Sequence, residues 1–343
     1  MPESALGSMS ARATVLLTDY AWSDVAIESQ IIEGAGLRLV TGPAKAASAD
    51  VIARLASEHR PAAIMTNWAP VSAAAIAASP SLRIVARLGV GLDNIAVDEA
   101  VRRGVWVTNV PDYCIEEVSD HAVAMVLAWT RGLVPFDREV KAGRWDPASA
   151  RLRRVRDLIC GIIGLGRTGR RTAEKLSGFG VRLLGHTRSA DGAVDGGVEI
   201  TMLEDLLGRS DVVIVHVPLT AQTQHLLGRE HIGLMKPGAF LVNVSRGAVV
   251  DTAALIEALE SGRLAGAALD VLEDEPRVPG GLLRPDVILT PHIAFSSEAS
   301  LRDLRRRASE EVVRVLSGEP PRQARNEPQP RPSVRPEARD PKT

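Results

Sequence analysis

A glycine-rich turn near the middle of the chain limits its fold more than any other feature. Residues 158–163 form a short apolar run, and the next residues read Gly164-Leu-Gly166-Arg-Thr-Gly169. A helical pattern follows over 170–179, and a second apolar run covers 181–186. Short apolar runs bounded by glycine are typical of buried parallel strands. This order predicts a βαβ unit with the glycines at its first turn.

The glycines of such a turn have separate roles. Gly164 permits the tight turn, Gly166 lets the backbone approach a pyrophosphate, and Gly169 allows the helix to pack closely on the strand. Arg167 and Thr168 follow Gly166, close to the start of the helix, where N–H groups and the positive dipole end favour phosphate. A plain glycine-rich turn is the alternative. The strand before, the helix after and the second strand favour a dinucleotide site.

The end of the second strand bears on the choice of cofactor. An acidic residue about 20 residues after the glycines would bind the adenosine ribose and disfavour a 2′-phosphate. This chain has Thr187 and Arg188 there, and the next acid is Asp191. Because a hydroxyl and a guanidinium suit a phosphate group, the sequence favours NADP(H). NAD(H) is the alternative if Arg188 is only a solvated loop residue.

Apolar runs alternate with helical patterns on both sides of this unit, which predicts parallel sheets covered by helices. The runs before it are 15–17, 37–40, 63–66, 84–88 and 105–107, and those after it are 212–217, 240–244, 267–271 and 287–289. A length of 343 residues fits two domains. Proline at 111 breaks the first pattern and indicates a domain boundary near 109. The polar residues 1–12 and the proline-rich residues 323–343 are predicted to be disordered.

Composition excludes several classes of protein. The net charge of −1 and the aromatic content of 3% give no case for binding nucleic acid. No apolar run approaches the roughly 20 residues of a transmembrane helix, so no membrane contact is expected. The two cysteines, Cys114 and Cys160, suggest neither a disulfide framework nor a metal site. A reducing cytoplasm is therefore the expected location.

Polar residues follow the strands of the second sheet, at the carboxyl ends where ligands of such sheets bind. Arg246 can pair with a carboxylate and polarise a neighbouring carbonyl, His292 can transfer a proton, and Glu275 can orient the imidazole. This set suits hydride transfer between a nicotinamide and C2 of a small 2-hydroxy or 2-oxo acid. The remaining candidates for cofactor contact at these strand ends are His216, Val217, Pro218, Thr223, Val244, Ser245 and Asp270.

Three ordered segments resemble the signature of the D-isomer-specific 2-hydroxyacid dehydrogenases. They are Asn243-Val-Ser-Arg-Gly-Ala-Val-Val-Asp251, Ala267-Ala-Leu-Asp-Val-Leu-Glu-Asp-Glu-Pro276 and Leu289-Thr-Pro-His-Ile293. The resemblance covers about 85–325 and includes Gly89-Val-Gly-Leu-Asp-Asn94. It implies that Arg246, Glu275 and His292 are catalytic and that Asp270 orients the nicotinamide amide. It also implies that Asn67 and the loop with Gly89, Val90 and Gly91 contact the substrate carboxylate.

The resemblance further implies a discontinuous architecture. A doubly wound, Rossmann-type cofactor domain (110–292) would be inserted into a smaller, flavodoxin-like α/β substrate domain (13–109 plus 293–322). Members of the family are usually homodimers through the cofactor domain. The chain departs from the family at Thr187, where most members have an acid.

Within the family, residues 109–121, Arg87 and the stretch 297–300 resemble the branch of the C-terminal-binding-protein corepressors. Those proteins carry an aromatic residue after the catalytic histidine, and Phe295 matches it in kind. Arg87 and Phe295 are therefore further candidates for substrate contact. The main alternative to an enzyme is a corepressor-like protein that senses nucleotide and has little turnover. Oxidation of another small anion, such as formate, is disfavoured by Glu275.

Overall fold

The computed structural model describes residues 12–187 and 197–330. The chain divides into two compact units, which we call the N-terminal unit (1–113 and 301–343) and the central unit (114–300). The sequence placed the domain boundaries near 109 and 292. The predicted phosphate contact Arg188 lies outside the described residues, as do 1–11 and 331–343 of the predicted disordered ends.

The N-terminal unit contains a five-stranded parallel sheet in the order β2-β1-β3-β4-β5, the flavodoxin-like order. Its strands are β1 (Thr14–Leu17), β2 (Arg38–Thr41), β3 (Ala63–Thr66), β4 (Ile84–Arg87) and β5 (Trp106–Thr108). The helices between them are α1 (Ala26–Gly34), α2 (Ala49–His59), α3 (Ala73–Ala77) and α4 (Val97–Arg102). Both sheet faces are buried, because neighbouring residues of β1 contribute to different apolar clusters.

The central unit contains a seven-stranded parallel sheet in the order β12-β11-β10-β9-β6-β7-β8, a doubly wound arrangement. Two helices precede the sheet, α5 (Ile115–Thr130) and α6 (Leu133–Lys141). The first half comprises β6 (Ile159–Ile163), α7 (Arg167–Ser177), β7 (Arg182–His186), β8 (Val198–Ile200), α8 (Leu203–Arg209) and β9 (Val212–Val215). The second half comprises α9 (Arg229–Leu234), β10 (Ala239–Asn243), α10 (Thr252–Glu260), β11 (Leu264–Leu269) and β12 (Val287–Leu289).

The last helix, α11 (Glu298–Leu316), begins in the central unit and continues into the N-terminal unit. There Leu304, Ala308 and Val312 pack into the same apolar cluster as Val15 and Leu17 of β1. The positions lie four residues apart and therefore on one face of the helix. No helix in the described part of the chain is both long and apolar enough to cross a bilayer.

The predicted fold class is confirmed: two covered parallel sheets, one of them doubly wound. Two elements were not predicted, β8 and α6. Two of the three residues of β8 are exposed, so its sequence lacks the apolar run of a buried strand. Helix α6 carries Leu133, Phe136 and Val140 at helical spacing, but none of its residues is buried and Pro135 lies in its first turn, so it does not resemble a core helix.

The prediction of disorder from residue 323 is wrong for residues 323–330, of which 324–326 lie along β5. We call residues 319–330 the C-terminal strap. The strap satisfies both backbone groups of Val107, because Arg325 N donates to its carbonyl (2.8 Å) and its N–H donates to Asn326 Oδ1 (2.8 Å). β5 is an edge strand with backbone groups that need partners. Polar composition indicated disorder, but these backbone hydrogen bonds do not require apolar side chains.

Candidate active site

The turn after β6 has a backbone geometry that requires glycine. Gly164 has a φ of +99°, and a Cβ atom there would lie 2.9 Å from the backbone of His216. A Cβ atom on Gly169 would lie 2.0 Å from the carbonyl oxygen of Gly164. Gly166, the N-cap of α7, has open space at its Cβ position. The N-terminus of α7 therefore has the room and the N–H groups that fit a pyrophosphate.

Side chains around this turn complete the cradle. Arg167 is exposed and Thr168 is half-buried, both in the first turn of α7. Val217 packs against Gly164. Thr187 is half-buried directly after β7, the position expected to face the adenosine ribose. These residues agree with a dinucleotide site in type and placement.

His216 and Thr223 stabilise the loop after β9. The Nε2 atom of His216 lies 3.0 Å from Thr172 Oγ1 on α7. Burial lowers the pKa of His216 to about 4, so the ring is neutral at pH 7. Thr223 Oγ1 donates to the Pro218 carbonyl (2.6 Å) and accepts from Thr220 N (2.8 Å). The loop is thereby held beside the glycine-rich turn.

Asn243, the last residue of β10, fixes the turn that carries Arg246. Its Oδ1 accepts hydrogen bonds from Ser245 N (3.0 Å) and Ser245 Oγ (2.9 Å), and its Nδ2 donates to the Arg246 carbonyl (3.0 Å). A Cβ atom on Gly247 would lie 1.9 Å from the carbonyl carbon of Leu272. The turn with Arg246 therefore packs directly on the turn 272–275.

Glu275 is held from two sides. Its Oε1 accepts from Leu272 N (2.9 Å), and its Oε2 lies 2.8 Å from His292 Nδ1. Burial raises the pKa of the Glu275 carboxyl, but the hydrogen bond and charge of His292, the Leu272 N–H and the charge of Arg246 outweigh it, so the pKa is lowered overall. Because a carboxylate can only accept, His292 Nδ1 carries the proton of this bond. Nε2 is then the nitrogen that can exchange a proton with a substrate.

Buried Asp270 holds the backbone that carries His292. Its oxygens accept from Ile293 N and Ala294 N (both 2.9 Å) and from Thr290 Oγ1 (2.6 Å). The Thr290 hydroxyl also lies 3.0 Å from His121 Nε2 on α5. His292 itself has a φ of +53°, a conformation that non-glycine residues adopt only when their surroundings impose it. The carboxylate of Asp270 supplies that constraint.

In the N-terminal unit, buried Asp19 holds the loop that contains Asn67. Its carboxylate accepts from the N–H groups of Asn67 (3.1 Å), Trp68 (2.6 Å) and Ala69 (3.2 Å). With its amide oriented to satisfy its neighbours, Asn67 donates to the Leu88 carbonyl (2.9 Å) and accepts from Trp68 Nε1 (2.9 Å). The loop is thus fixed through its backbone and through its side chain.

Arg87 supports the neighbouring loop with Gly89, Val90 and Gly91. Its Nη1 donates to the Leu88 carbonyl, and its guanidinium lies 5.7 Å from the centre of the Trp68 ring. Gly89 has a φ of +155°, and a Cβ atom there would lie 2.7 Å from Arg87 Nη1. The two predicted substrate loops of this unit are therefore in contact with each other.

The structure groups the predicted site residues within each unit. In the central unit Arg246, Glu275 and His292 lie together, and Phe295 meets the His292 ring edge-on at 6.3 Å. Val244 is buried at the end of β10. Among the described residues, no group of three metal-ligating side chains could hold an ion.

Sequence reasoning missed the residues that hold these loops, namely Asp19, His121, Thr290 and Asn109, whose Nδ2 donates to the Val90 carbonyl. His121 lies at helical spacing with apolar residues, a pattern that predicts the packing face of α5. Asp19 comes two residues after the predicted strand 15–17, and Asp270 lies near the end of the predicted strand 267–271. An acid at the carboxyl end of a strand is the one signal that could have revealed Asp19. In both cases the partners are backbone N–H groups, which no side-chain motif reveals.

The sequence matches the family model described as "D-isomer specific 2-hydroxyacid dehydrogenase, NAD binding domain" over residues 123–294. It is 42% identical over 260 residues to a glyoxylate reductase of Korarchaeum cryptofilum, covering 74% of this chain and 78% of the relative. It is 41% identical over 253 residues to a glyoxylate reductase of Pyrococcus horikoshii, covering 71% and 76%.

Two solved structures of 2-hydroxyacid or 2-oxo acid enzymes are also similar to this chain. A D-lactate dehydrogenase from Aquifex aeolicus, determined with NAD and lactic acid, superposes with a TM-score of 0.81 at 29% identity, covering 89% of this chain and 96% of the other. An NADPH-dependent glyoxylate/hydroxypyruvate reductase from Sinorhizobium meliloti, determined with NADP and malonate, gives 0.80 at 31% identity, covering 92% and 97%.

Proposed function

The chain belongs to the D-isomer-specific 2-hydroxyacid dehydrogenases, enzymes of NAD(P)-dependent 2-oxo and 2-hydroxy acid chemistry, and we propose that it reduces a small 2-oxo acid through Arg246, Glu275 and His292. One observation carries the assignment of these residues. The turn with Arg246 packs on the turn with Glu275, whose carboxylate is 2.8 Å from His292 Nδ1. A fixed cation thus lies near an oriented acid–base pair.

Each side chain has one task in this mechanism. A bound nicotinamide dinucleotide supplies the hydride that reaches C2 of the substrate. His292 donates a proton from Nε2 to the carbonyl oxygen, which remains bonded to C2 and becomes the hydroxyl group of the product. Ionised Glu275 keeps the imidazole oriented and stabilises its protonated form. The Arg246 guanidinium binds the carboxylate and polarises the carbonyl.

The substrate proposed first is glyoxylate. The relatives of Korarchaeum cryptofilum and Pyrococcus horikoshii are named glyoxylate reductases, and their identity to this chain extends over most of its length. The contacts predicted for its carboxylate are Asn67, Arg87 and the N–H groups of Gly89, Val90 and Gly91. Phe295, edge-on to His292, is a further predicted substrate contact.

A panel of 2-oxo acids with NADPH and NADH, followed by nicotinamide absorbance, tests this function. Turnover of glyoxylate is expected, and His292→Ala should lower kcat by roughly two to four orders of magnitude while cofactor Kd stays unchanged. His231→Ala, on α9, is the matched control and should behave like wild type. Nucleotide binding without turnover of any acid would instead favour the corepressor-like alternative.

NADP(H) is the proposed cofactor, with NAD(H) as the alternative. Thr187 occupies the place where an acid would repel a 2′-phosphate, and Arg188 follows it in the sequence. A guanidinium–phosphate hydrogen bond is worth about 1.5–3 kcal/mol, or roughly one to two orders of magnitude in Kd. The Sinorhizobium meliloti neighbour, determined with NADP, is compatible with this preference.

Direct titration of the protein with NADPH and NADH tests the preference. NADPH should bind more tightly, and Thr187→Asp combined with Arg188→Ala should reverse the order by removing attraction and adding repulsion. Equal Kd values, or tighter NADH, would mean that Thr187 and Arg188 do not bind the phosphate.

A homodimer through the central unit is also proposed. Residues 133–152 expose several large apolar side chains, and Trp145 is 81% exposed. Such a patch is typical of a protein interface. Sedimentation equilibrium measures the oligomeric state.

The cytoplasmic location predicted from the two cysteines remains a prediction; both thiols are free and buried.

A further inference from the structure

In the loop of residues 88–91, the first three carbonyl groups all accept hydrogen bonds from the protein. The Leu88 carbonyl accepts from Arg87 Nη1, the Gly89 carbonyl accepts from Val110 N (3.1 Å), and the Val90 carbonyl accepts from Asn109 Nδ2 (2.5 Å). The N–H groups of Gly89, Val90 and Gly91, by contrast, meet no acceptor within the described residues. The loop therefore presents donors only.

The direction of each of these N–H groups is set by the carbonyl group of the preceding residue. A peptide group is planar and trans, so a fixed C=O also fixes the N–H of the next residue. The hydrogen bond to the Val90 carbonyl thus sets the direction of the Gly91 N–H. That bond comes from a side chain, Asn109 Nδ2, and depends on which way the Asn109 amide is turned.

A contact from the C-terminal strap fixes the oxygen side of the Asn109 amide, opposite the NH₂ group that faces Val90. Arg325 Nε, on the C-terminal strap, donates to Asn109 Oδ1 at 2.5 Å. Arginine has donors only, so the amide oxygen must face Arg325 and the NH₂ group must face Val90. With the amide reversed, its oxygen would face the Val90 carbonyl oxygen, and the hydrogen bond would be broken. Asn109 is buried, so water cannot readily replace it.

The strap holds Arg325 in place independently of this contact. Buried Glu311 of α11 accepts from the N–H groups of Arg322 (2.8 Å) and Gln323 (3.3 Å). Asn326 Nδ2 donates to the Val105 carbonyl (2.8 Å), and Gln329 N donates to the Val101 carbonyl (2.9 Å). The backbone on both sides of Arg325 is therefore anchored to the N-terminal unit.

We infer that Arg325 is a positioning residue for substrate binding, acting through Asn109 and the Val90 carbonyl on the Gly91 N–H. The inference rests on the proposed function, in which this N–H binds the substrate carboxylate. Removal of the Arg325 guanidinium should leave the loop in place but free the Asn109 amide to turn. The Gly91 N–H would then have no fixed direction, and substrate affinity would fall with little effect on the chemical step.

Arg325→Met and Arg322→Met make a matched pair, because both remove one positive charge from the same strap. The Arg322 side chain has no partner among the described residues and is exposed. Arg325→Met should raise the KM for glyoxylate about tenfold, equivalent to about 1.4 kcal/mol. Its kcat and cofactor Kd should change less than about twofold, and Arg322→Met should match wild type. In an Asn109→Ala background, Arg325→Met should have no further effect.

Three results would overturn the inference: an unchanged KM in Arg325→Met, an equal rise in Arg322→Met, or full additivity with Asn109→Ala. A readout without turnover is the NMR signal of the Asn109 side-chain amide in protein labelled with ¹⁵N-asparagine. It should shift in Arg325→Met and not in Arg322→Met. If the wild-type protein reduces no 2-oxo acid, the proposed function fails, while this signal still decides whether Arg325 orients Asn109.

Discussion

Asp19→Asn changes one oxygen of a buried carboxylate into an NH₂ group, and we expect it to loosen the loop of Asn67. Asp19 Oδ1 accepts from Thr18 Oγ1 (2.7 Å), Asn67 N (3.1 Å) and Ala69 N (3.2 Å), and Oδ2 accepts from Trp68 N (2.6 Å). Asparagine can keep only one of these oxygens. Its best arrangement retains Oδ1 and turns the NH₂ group toward the Trp68 N–H, where a donor faces a donor.

The energetic cost follows from the hydrogen bonds that the substitution breaks or weakens. A hydrogen bond to a charged group contributes about 1.5–3 kcal/mol, and a buried N–H left without a partner costs about 1–3 kcal/mol. These two energies are not added, because both describe the loss of the same hydrogen bond from the Trp68 N–H. The bonds to Oδ1, which include a long one from Thr66 Oγ1 (3.5 Å), also weaken when the charge is removed. We therefore expect the free energy of unfolding to fall by about 2–4 kcal/mol.

Urea unfolding followed by circular dichroism measures this change. Glu33→Gln, an exposed acid on α1 in the same unit, is the matched control and should change the stability by less than about 0.5 kcal/mol. KM for a 2-oxo acid should also rise in Asp19→Asn, because the Asn67 side chain shares the loop. Stability equal to that of Glu33→Gln would refute the argument that the carboxylate holds the loop.

Two further predictions concern the central unit. Arg246→Lys keeps the charge but removes the two-pronged hydrogen bonding, so KM should rise and kcat should fall in steady-state assays; a rise in KM alone would assign carbonyl polarisation to another group. Burial lowers the pKa of His216 from 6.5 to about 4, so between these values the unfolded chain binds a proton that the folded chain does not, and stability falls as the pH falls through this window. His216→Gln should remove about 2 kcal/mol of that dependence in urea unfolding compared between pH 5 and 7.5, and an unchanged difference would contradict it.

The sequence was most informative where function constrains the backbone directly. Gly164 and Gly169 could be assigned because their missing side chains make room for other atoms: the backbone of His216 in one case and the Gly164 carbonyl in the other. Glu275 and His292 were paired by their positions after neighbouring strands, β11 and β12, of one predicted sheet. The parallel order of those strands brings the two loops together.

The C-terminal strap could not be predicted for a physical reason. Its residues contribute little apolar surface, and composition reports mainly on apolar surface. The strap is held by backbone groups of β5 and by Glu311, a residue whose partners are two N–H groups. Neither kind of contact leaves a residue pattern in the sequence. The same holds for Asn109, which sequence reasoning treated only as part of a resemblance.

Asp19 and Asp270 hold a loop in each unit by the same kind of contact. Each is a buried carboxylate just beyond a strand, β1 or β11, and each accepts hydrogen bonds from successive backbone N–H groups of a functional loop. A carboxylate offers about four acceptor positions. Asp270 uses three of them, for Thr290, Ile293 and Ala294. One position remains, enough for a single N–H of the nicotinamide amide that the family resemblance assigns to it. Holding the His292 backbone and orienting the cofactor are therefore compatible tasks for one side chain, and substitution of Asp270 should affect both together.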